Sequence, residues 1–182
     1  MKRQSAVTRS LPPGMSPVIA QLGSLPPVIA RDTRLMVLGS FPGVASLRAQ
    51  QYYAHPRNQF WPLLSALWDI DLVGLSYERR VAETCARGLG LWDVYASCQR
   101  VGSLDSAIRD AVFNNLDSLR LQAPGLRAIA HNGAESARAM RHTEALGVAV
   151  VRLPSTSPAH ASWSFERKLA AWRDAFAAHG MA

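Results

Sequence analysis

The chain has 182 residues with 48% apolar content, which is enough for one domain with a sizeable core. Its 20 Lys and Arg residues against 13 Asp and Glu residues give a formal charge of +7, a balance that suits a polyanionic partner but that a merely basic protein also shows. Two cysteines cannot supply a four-thiolate cluster, no run is long enough to span a membrane, and the N-terminus lacks the apolar core of a signal peptide. We therefore expect a cytoplasmic protein of the bacterial cytosol or nucleoid, without metal or cofactor and with free thiols.

The N-terminal region, residues 1–24, is rich in Ser, Pro and Gly and shows no sustained period. We expect it to form an extended or flexible arm. The remaining residues, 25–182, are predicted to form a single domain.

Apolar runs and helical spacing predict alternating strands and helices after this arm. Strands are expected at 34–39, 89–95, 126–130 and 147–153, and helices at 57–68, 77–87, 117–121, 134–140 and 163–178. Residues 97–108 are predicted to be a loop leading into a helix, with Ser103 or Asp105 as its cap. The alternation predicts an α/β fold with a mostly parallel sheet covered on both faces.

Three of the predicted strands end in short polar turns. These turns read GSFPG at 39–43, HNG at 131–133 and LPSTSP at 153–158. Because the carboxyl ends of parallel strands lie along one edge of a sheet, we expect the three turns to meet in one cleft.

The loop after the first strand is dense in aromatic and hydrogen-bonding side chains. Within ten positions it contains Tyr52, Tyr53, His55, Arg57, Asn58, Phe60 and Trp61. Such a set suits a pocket for a flat, polar ring, and a nucleobase is the natural candidate.

These motifs together resemble the uracil-DNA glycosylase superfamily. The GSFPG motif, the QYYAHPRNQFW segment and the LPSTSPAHA segment are closest to its hypoxanthine-DNA (deoxyinosine) glycosylase branch, over about residues 25–176. The resemblance implies a three-layer α/β/α sandwich around a four-stranded parallel sheet. It also implies a monomeric enzyme that hydrolyses the bond between a deaminated base and deoxyribose in DNA.

The catalytic candidates under this resemblance are Asn58 and Ser40. Related branches carry Asp or Asn in the first motif to hold the attacking water, and here that motif offers Ser40, whose hydroxyl can orient water but is a poor base. Asn58 is the nearest amide in the same loop and our first choice, although it is also a plausible N-cap for the helix that follows.

The base-binding candidates are Phe41, Tyr53, His55 and Asn132. A flipped base needs an aromatic platform, for which we expect Tyr53, while Tyr52 or Tyr53 is alternatively core. Phe41 would form the pocket wall, and His55 would donate to base or phosphate or serve as a structural hydrogen-bonder. The Asn132 amide suits the N1 and O6 edge of hypoxanthine, and an Asn-Gly turn is the alternative.

Eight residues are predicted to contact the DNA backbone through hydroxyls, backbone amides or a ring: Gly39, Pro42, Gly43, Ser46, Ser155, Thr156, Ser157 and His160. Ser46 is expected in the loop after the first motif. His160 would fill the gap that a flipped base leaves, or would be an exposed loop residue.

The resemblance also suggests the substrate. Several relatives begin the last motif with a histidine that stabilises the leaving base, and Leu153 stands there, which is compatible with a purine bound or protonated at N7. No lysine lies in the motifs, so strand cleavage through a Schiff base is not expected. Deoxyinosine is the expected substrate; the alternatives are a uracil or mismatch-specific glycosylase, a non-catalytic binder of damaged DNA, and a nucleotide or nucleoside hydrolase.

Overall fold

The structure is a computed structural model that describes residues 20–181. In chain order its strands are β1 (Gln21–Gly23), β2 (Leu35–Gly39), β3 (Leu89–Asp93), β4 (Tyr95–Gln99), β5 (Arg109–Phe113), β6 (Ala128–Asn132) and β7 (Ala149–Leu153). Its helices are α1 (Val44–Ala49), α2 (Phe60–Trp68), α3 (Tyr77–Ala86), α4 (Leu119–Gln122), α5 (Met140–Glu144) and α6 (Phe165–Ala178).

The central sheet contains four parallel strands in the order β3-β2-β6-β7. Successive residues of β2 point to opposite faces, so Leu35 and Val37 pack with α2 and α6 while Met36 and Leu38 pack on the other side with α4. All five residues of β2 and of β3 are buried, as expected for parallel strands covered on both faces. The predicted three-layer α/β/α fold with four parallel strands is confirmed.

A second sheet, of three antiparallel strands in the order β1-β4-β5, was not predicted. The predicted loop and helix start at 97–108 are wrong in part, because β4 runs to Gln99 and a single 3-10 turn at Asp105–Ala107 leads into β5. Only Val94 separates β3 from β4, so the predicted strand at 89–95 combined β3 with the first residue of β4. At the N-terminal end, β1 belongs to the predicted arm, and residues 1–19 of that arm lie outside the described residues.

The remaining differences concern the bounds of helices and strands, since β6 lies at Ala128–Asn132 rather than 126–130 and β7 begins at Ala149 rather than residue 147. Helix α1 occupies residues predicted to be loop, and α2 begins at Phe60 rather than residue 57. Ser76 caps α3, since its hydroxyl accepts a hydrogen bond from the Arg79 amide. Cys85 and Cys98 are free thiols. Within residues 20–181, no helix is long and apolar enough to cross a membrane.

Candidate active site

The carboxyl ends of the central strands surround one pocket of about 460 Å³. Its wall combines the GSFPG turn, the aromatic loop, the end of β6 and the LPSTSP turn, together with the end of β3 and residues 103–106 of the second sheet's hairpin. The predicted convergence of the three strand-end turns is therefore confirmed. Every base-binding and catalytic candidate from the sequence lines this pocket: Ser40, Phe41, Tyr53, His55, Asn58 and Asn132.

The first turn is packed so closely that its first residue has to be glycine. A Cβ added to Gly39 would lie 2.4 Å from Oδ1 of Asp93, well inside van der Waals contact. The next residue, Ser40, is almost buried, and its hydroxyl donates a 2.6 Å hydrogen bond to Oδ1 of Asp105. The carboxyl groups of Asp93 and Asp105, both outside the turn, therefore lie against the GSFPG motif.

Asp105 is a pocket residue that the sequence predicted only as a possible helix cap. The residue as a whole is exposed, but its carboxyl group contacts Ser40 and lines the pocket. Partial burial raises the pKa of this carboxyl, and the hydrogen bond from Ser40 and the nearby Arg100 oppose that shift. Its partner is 65 residues away in the chain, so no local signal marks the pair.

Asp93 is the second carboxyl that the sequence reading missed. It ends β3, is 3% exposed, and accepts a 3.2 Å hydrogen bond from the Ser24 hydroxyl. Burial raises its pKa to about 7, while the Ser24 hydrogen bond and the positive charge of Arg100 act in the opposite direction. The position of Asp93 at the pocket could have been predicted from the sequence, because β3 ends at the same sheet edge as the three strands whose terminal turns were recognised.

Arg100 stabilises the GSFPG turn. Its guanidinium donates to the carbonyl of Pro42 and lies 5.0 Å from the ring centroid of Phe41. It is 5% exposed, and its Nε and Nη1 have no partner among the described residues. Burial lowers the pKa of this guanidinium, although the nearby carboxyls favour its charged form. The buried cation therefore holds Phe41 and Pro42 in place and offsets the two carboxyls.

The two tyrosines of the aromatic loop have different positions. Tyr52 is buried in the core, and its hydroxyl donates to the carbonyls of Leu25 and Pro26. Tyr53 lines the pocket, has a left-handed backbone with φ of 56°, and stacks on Phe60 at a centroid distance of 3.9 Å. Of the two alternatives, Tyr52 is the core residue and Tyr53 is available to a ligand.

Asn58 combines a local backbone contact with a position at the pocket. Its Oδ1 accepts a 2.9 Å hydrogen bond from the amide of Phe60, the first residue of α2, but the N-cap of that helix is Gln59, so Asn58 is not the N-cap that the alternative expected. Among the described residues its side-chain nitrogen has no hydrogen-bond partner. His55 is comparable, because its Nδ1 accepts a 3.1 Å hydrogen bond from the amide of Arg57. The local contact orients each side chain and leaves its other polar atom for a ligand.

The Asn132 amide connects the ends of two strands. Its Oδ1 accepts from the Thr156 amide at 2.9 Å, and its Nδ2 donates to the Thr156 hydroxyl at 2.9 Å and the Tyr53 hydroxyl at 3.3 Å. Gly133 has φ of +106°, and a Cβ there would lie 2.9 Å from Cβ of Ser155. Asn132 therefore positions both Tyr53 and the LPSTSP turn, and Thr156 is completely buried.

The remaining backbone-contact candidates also lie around the pocket. Ser46 lies in helix α1, which corrects its predicted place in a loop, and its hydroxyl accepts from the Ala54 amide at 3.2 Å. His160 is half-buried, and its carbonyl accepts from the buried Lys168 ammonium, which also donates to Gln59. The other six candidates for contact with the DNA backbone also line the pocket: Gly39, Pro42, Gly43, Ser155, Thr156 and Ser157.

Comparison with known proteins agrees with this fold. The model of the uracil DNA glycosylase superfamily matches residues 26–176, and the chain belongs to this superfamily, whose members hydrolyse N-glycosidic bonds. It is similar to the hypoxanthine DNA glycosylase of Methanosarcina barkeri, with 36% identity over 151 residues, or 83% of this chain and 95% of the relative. The hypoxanthine DNA glycosylase of Methanosarcina acetivorans is 34% identical over 143 residues, or 79% of this chain and 90% of the relative.

The same fold is seen in a solved structure. The solution NMR structure of a candidate uracil DNA glycosylase from Methanosarcina acetivorans matches with a TM-score of 0.76 and 32% identity, covering 85% of this chain and 98% of that chain.

Proposed function

We propose that this protein is a monofunctional DNA glycosylase that flips hypoxanthine out of DNA and removes it by hydrolysis. The observation that carries the proposal is the strand-end pocket, in which aromatic rings, free amide and hydroxyl groups and a Ser–Asp pair surround about 460 Å³. A volume and lining of this kind suit a single planar ring system held by a few polar groups. The two Methanosarcina relatives named hypoxanthine DNA glycosylases support the choice of base.

In the bound state, the base would lie beside the aromatic rings of Phe41 and Tyr53. The free amide nitrogen of Asn58 would donate to the carbonyl oxygen or a ring nitrogen of the base, or hold the attacking water. His55 would contact the base or a flanking phosphate. Backbone amides of the GSFPG turn and the hydroxyls of Ser46, Ser155 and Ser157 would bind the backbone on either side of the flipped nucleotide.

The hydrolysis needs a water molecule near C1′ and a negative group to stabilise the positive charge that develops on the sugar. The Asp105 carboxylate, aligned by the Ser40 hydroxyl, meets both needs, since it accepts the proton of the water and lies close to the developing charge. The water oxygen bonds to C1′, the bond from C1′ to N9 breaks with its electron pair going to the base, and a proton neutralises the departing base.

Leaving-group assistance has to come from a residue other than the one used by several relatives. Leu153 occupies that place and is buried with its apolar side chain in the core. Asp93 lines the pocket and has a pKa near 7, so a large fraction of it carries a proton at neutral pH. A protonated carboxyl can donate a hydrogen bond to a purine nitrogen as the base departs.

The test is base release from oligonucleotides carrying hypoxanthine, uracil or xanthine, followed by alkali to break the strand at abasic sites. We expect breaks only after alkali and most at hypoxanthine. None of the described pocket-lining residues is a lysine, so breaks without alkali are not expected. Breaks mainly at uracil would contradict the base preference, and tight binding without release would instead identify a damaged-DNA binder. Strong competition by free inosine would favour a nucleoside hydrolase.

The same proposal includes a monomeric protein acting in the bacterial cytosol. The free state of Cys85 and Cys98 is compatible with a reducing compartment. Sedimentation of the purified chain with and without DNA would test the monomer.

A further inference from the structure

Lys168 is a buried positive charge close to the pocket that the proposed reaction does not use. It is 2% exposed and belongs to the buried face of α6, together with Trp172 and Phe176 at four-residue spacing. Burial lowers the pKa of this ammonium, because the charged form loses its hydration in the interior. Lysine is almost never fully buried unless its charge is paired, so the environment of Lys168 calls for an explanation.

The ammonium of Lys168 has only neutral partners within residues 20–181. Its Nζ donates to Oε1 of Gln59 at 2.8 Å and to the carbonyl of His160 at 2.8 Å. No carboxylate in that range lies within salt-bridge distance of it. Lys168 also lies in the first turn of α6, where the positive end of the helix dipole disfavours a cation. The described part of the chain therefore provides no counter-charge, and an anion bound nearby would supply one.

The two partners of Lys168 belong to different segments of the pocket wall. Gln59 follows Asn58 in the aromatic loop, and its backbone amide donates to the Thr156 carbonyl at 3.0 Å. His160 lies in the LPSTSPAHA segment and borders the pocket. Lys168 therefore ties the loop that carries Asn58 to the segment that carries His160.

The LPSTSPAHA segment is attached to α6 at two points. Trp172, one turn after Lys168, donates from its indole nitrogen to the Pro154 carbonyl at 3.1 Å, and Lys168 holds the His160 carbonyl. Between these attachments lie residues 155–157, whose hydroxyls and amides are proposed to bind the DNA backbone. A phosphate bound there is the anion best placed to compensate the ammonium, whereas hypoxanthine itself is neutral.

We propose that Lys168 is a positioning residue that fixes two segments of the pocket wall and supplies, through the loop, positive charge for a DNA phosphate beside the flipped nucleotide. Lys168 is not part of the pocket wall, so it acts on the phosphate through its electrostatic field and not by contact. Salt screens this interaction less than a surface ion pair, because the cation is buried. The proposal rests on the proposed glycosylase function and specifies how that site compensates the charge of its substrate.

The test pairs the charge of Lys168 with the charge of single phosphates. A duplex would carry 2′-fluoro-deoxyinosine, which resists hydrolysis, and a neutral methylphosphonate in place of one phosphate on either side of it. We expect one of these replacements to weaken binding by the unaltered protein by about tenfold. In Lys168→Met the same replacement should cost less than about threefold, because the two changes remove the same interaction. Equal costs in both proteins at every flanking phosphate would overturn the proposal.

Two further variants separate the charge of Lys168 from its contacts. Lys168→Gln keeps an N–H donor but is neutral, so it should behave like Lys168→Met, and it replaces that variant if the methionine prevents folding. Gln59→Ala keeps the charge and frees the aromatic loop. It should retain the tenfold phosphate effect while lowering single-turnover release of hypoxanthine by about threefold. Loss of the phosphate effect in Gln59→Ala would assign that effect to the contact and overturn the role of the charge.

Arg173→Met is the matched control. Arg173 is an exposed residue of the same helix and is not part of the pocket wall. This variant loses one positive charge, as Lys168→Met does, and should keep the tenfold phosphate effect. An equal reduction of the effect in both variants would show that the net charge of the chain is responsible, and would overturn the proposal.

Urea unfolding of Lys168→Met distinguishes this role from a structural one. An apolar side chain replaces an unpaired buried charge, so the urea midpoint should be no lower than that of the unaltered protein. A lower midpoint together with an unchanged phosphate effect would make Lys168 a structural residue only and overturn the proposal.

The binding measurement does not depend on base release, so it separates this proposal from the proposed function. If no hypoxanthine is ever released but the cost of the methylphosphonate depends on Lys168, the catalytic function fails and the role of Lys168 in holding a phosphate stands. If hypoxanthine is released and that cost is independent of Lys168, the proposal fails and the function stands.

Discussion

The central sheet and the antiparallel sheet both contribute to the pocket, but they are stabilised in different ways. All five β2 residues are buried and pair with β3, and residues 35–38 pair with β6 as well. In contrast, four of the five β5 residues are exposed, and its pairing with β4 has register shifts. The central sheet supplies the turns that line the pocket. The antiparallel sheet supplies the hairpin that carries Asp105, so part of the proposed chemistry comes from the less protected part of the fold.

The largest effect should follow from the hairpin's carboxylate. Asp105→Asn keeps the size of the side chain but removes the proposed general base and its negative charge. Hypoxanthine release should therefore fall by at least about 100-fold. Because the ionised form is active, release by the unaltered enzyme should decline as pH falls through the Asp105 pKa, which burial raises. Single-turnover rates across pH would check both points.

Asp110→Asn is the control for that substitution. Asp110 is an exposed acidic residue of the same hairpin, in a left-handed conformation that Asn tolerates. It should retain the rate and the pH profile. Equal losses in both variants would show that the hairpin's charge or stability matters rather than the contact with Ser40.

In the central sheet, Asp93 should make stability depend on pH. Its pKa is 3.8 in a free side chain and about 7 in the fold, so between these values the folded state holds a proton that the unfolded state has lost. The free energy of unfolding should therefore fall as pH rises through this window, by on the order of 2 to 4 kcal/mol in all. Urea unfolding at pH 5, 6, 7 and 8 would measure this fall.

Asp93→Asn isolates that effect, because an amide oxygen can still accept from Ser24 but does not titrate. Buried His131 has a pKa lowered by burial to about 4, which destabilises the folded state as pH falls below the ordinary histidine range. His131 is present in both proteins, so the difference between their stability curves reports Asp93. A constant difference from pH 5 to 8 would contradict the raised pKa.

The glycines of the two sheets allow a direct comparison. Gly39→Ala places a Cβ 2.4 Å from the Asp93 carboxylate, whereas Gly23→Ala in β1 meets nothing within 4 Å. We expect the first to cost about 2 kcal/mol by overpacking and the second less than about 0.5 kcal/mol. Urea unfolding gives both values. Adding Asp93→Ala should restore part of the loss in Gly39→Ala, and the absence of any restoration would show that another contact is responsible.

The two regions also differ in how far the sequence predicts them. The central strands are local apolar runs, so their existence, order of appearance and pocket-forming ends follow from residues close together in the chain. Strands β4 and β5 depend on pairing across a hairpin, and the exposed β5 lacks an apolar face that could be recognised. The hydrogen bond between Ser40 and Asp105 joins residues that are 65 positions apart in the chain. From the sequence alone Asp105 therefore resembles a helix cap, and only the fold shows that it lies at the pocket.

The smallest effect should come from the edge of the antiparallel sheet. The Gln21 amide donates to the Ser97 hydroxyl at 2.9 Å and to the Asp110 carbonyl at 3.3 Å, and both contacts are exposed to water. Because water replaces such donors when they are lost, Gln21→Ala should lower the free energy of unfolding by only about 0.5 kcal/mol. Since Ser97→Ala removes the same contact, the double variant should lose little more than either single one. A loss as large as that of Gly39→Ala would show that this edge is stabilised as strongly as the central sheet, and the contrast between the two regions would then rest on burial alone.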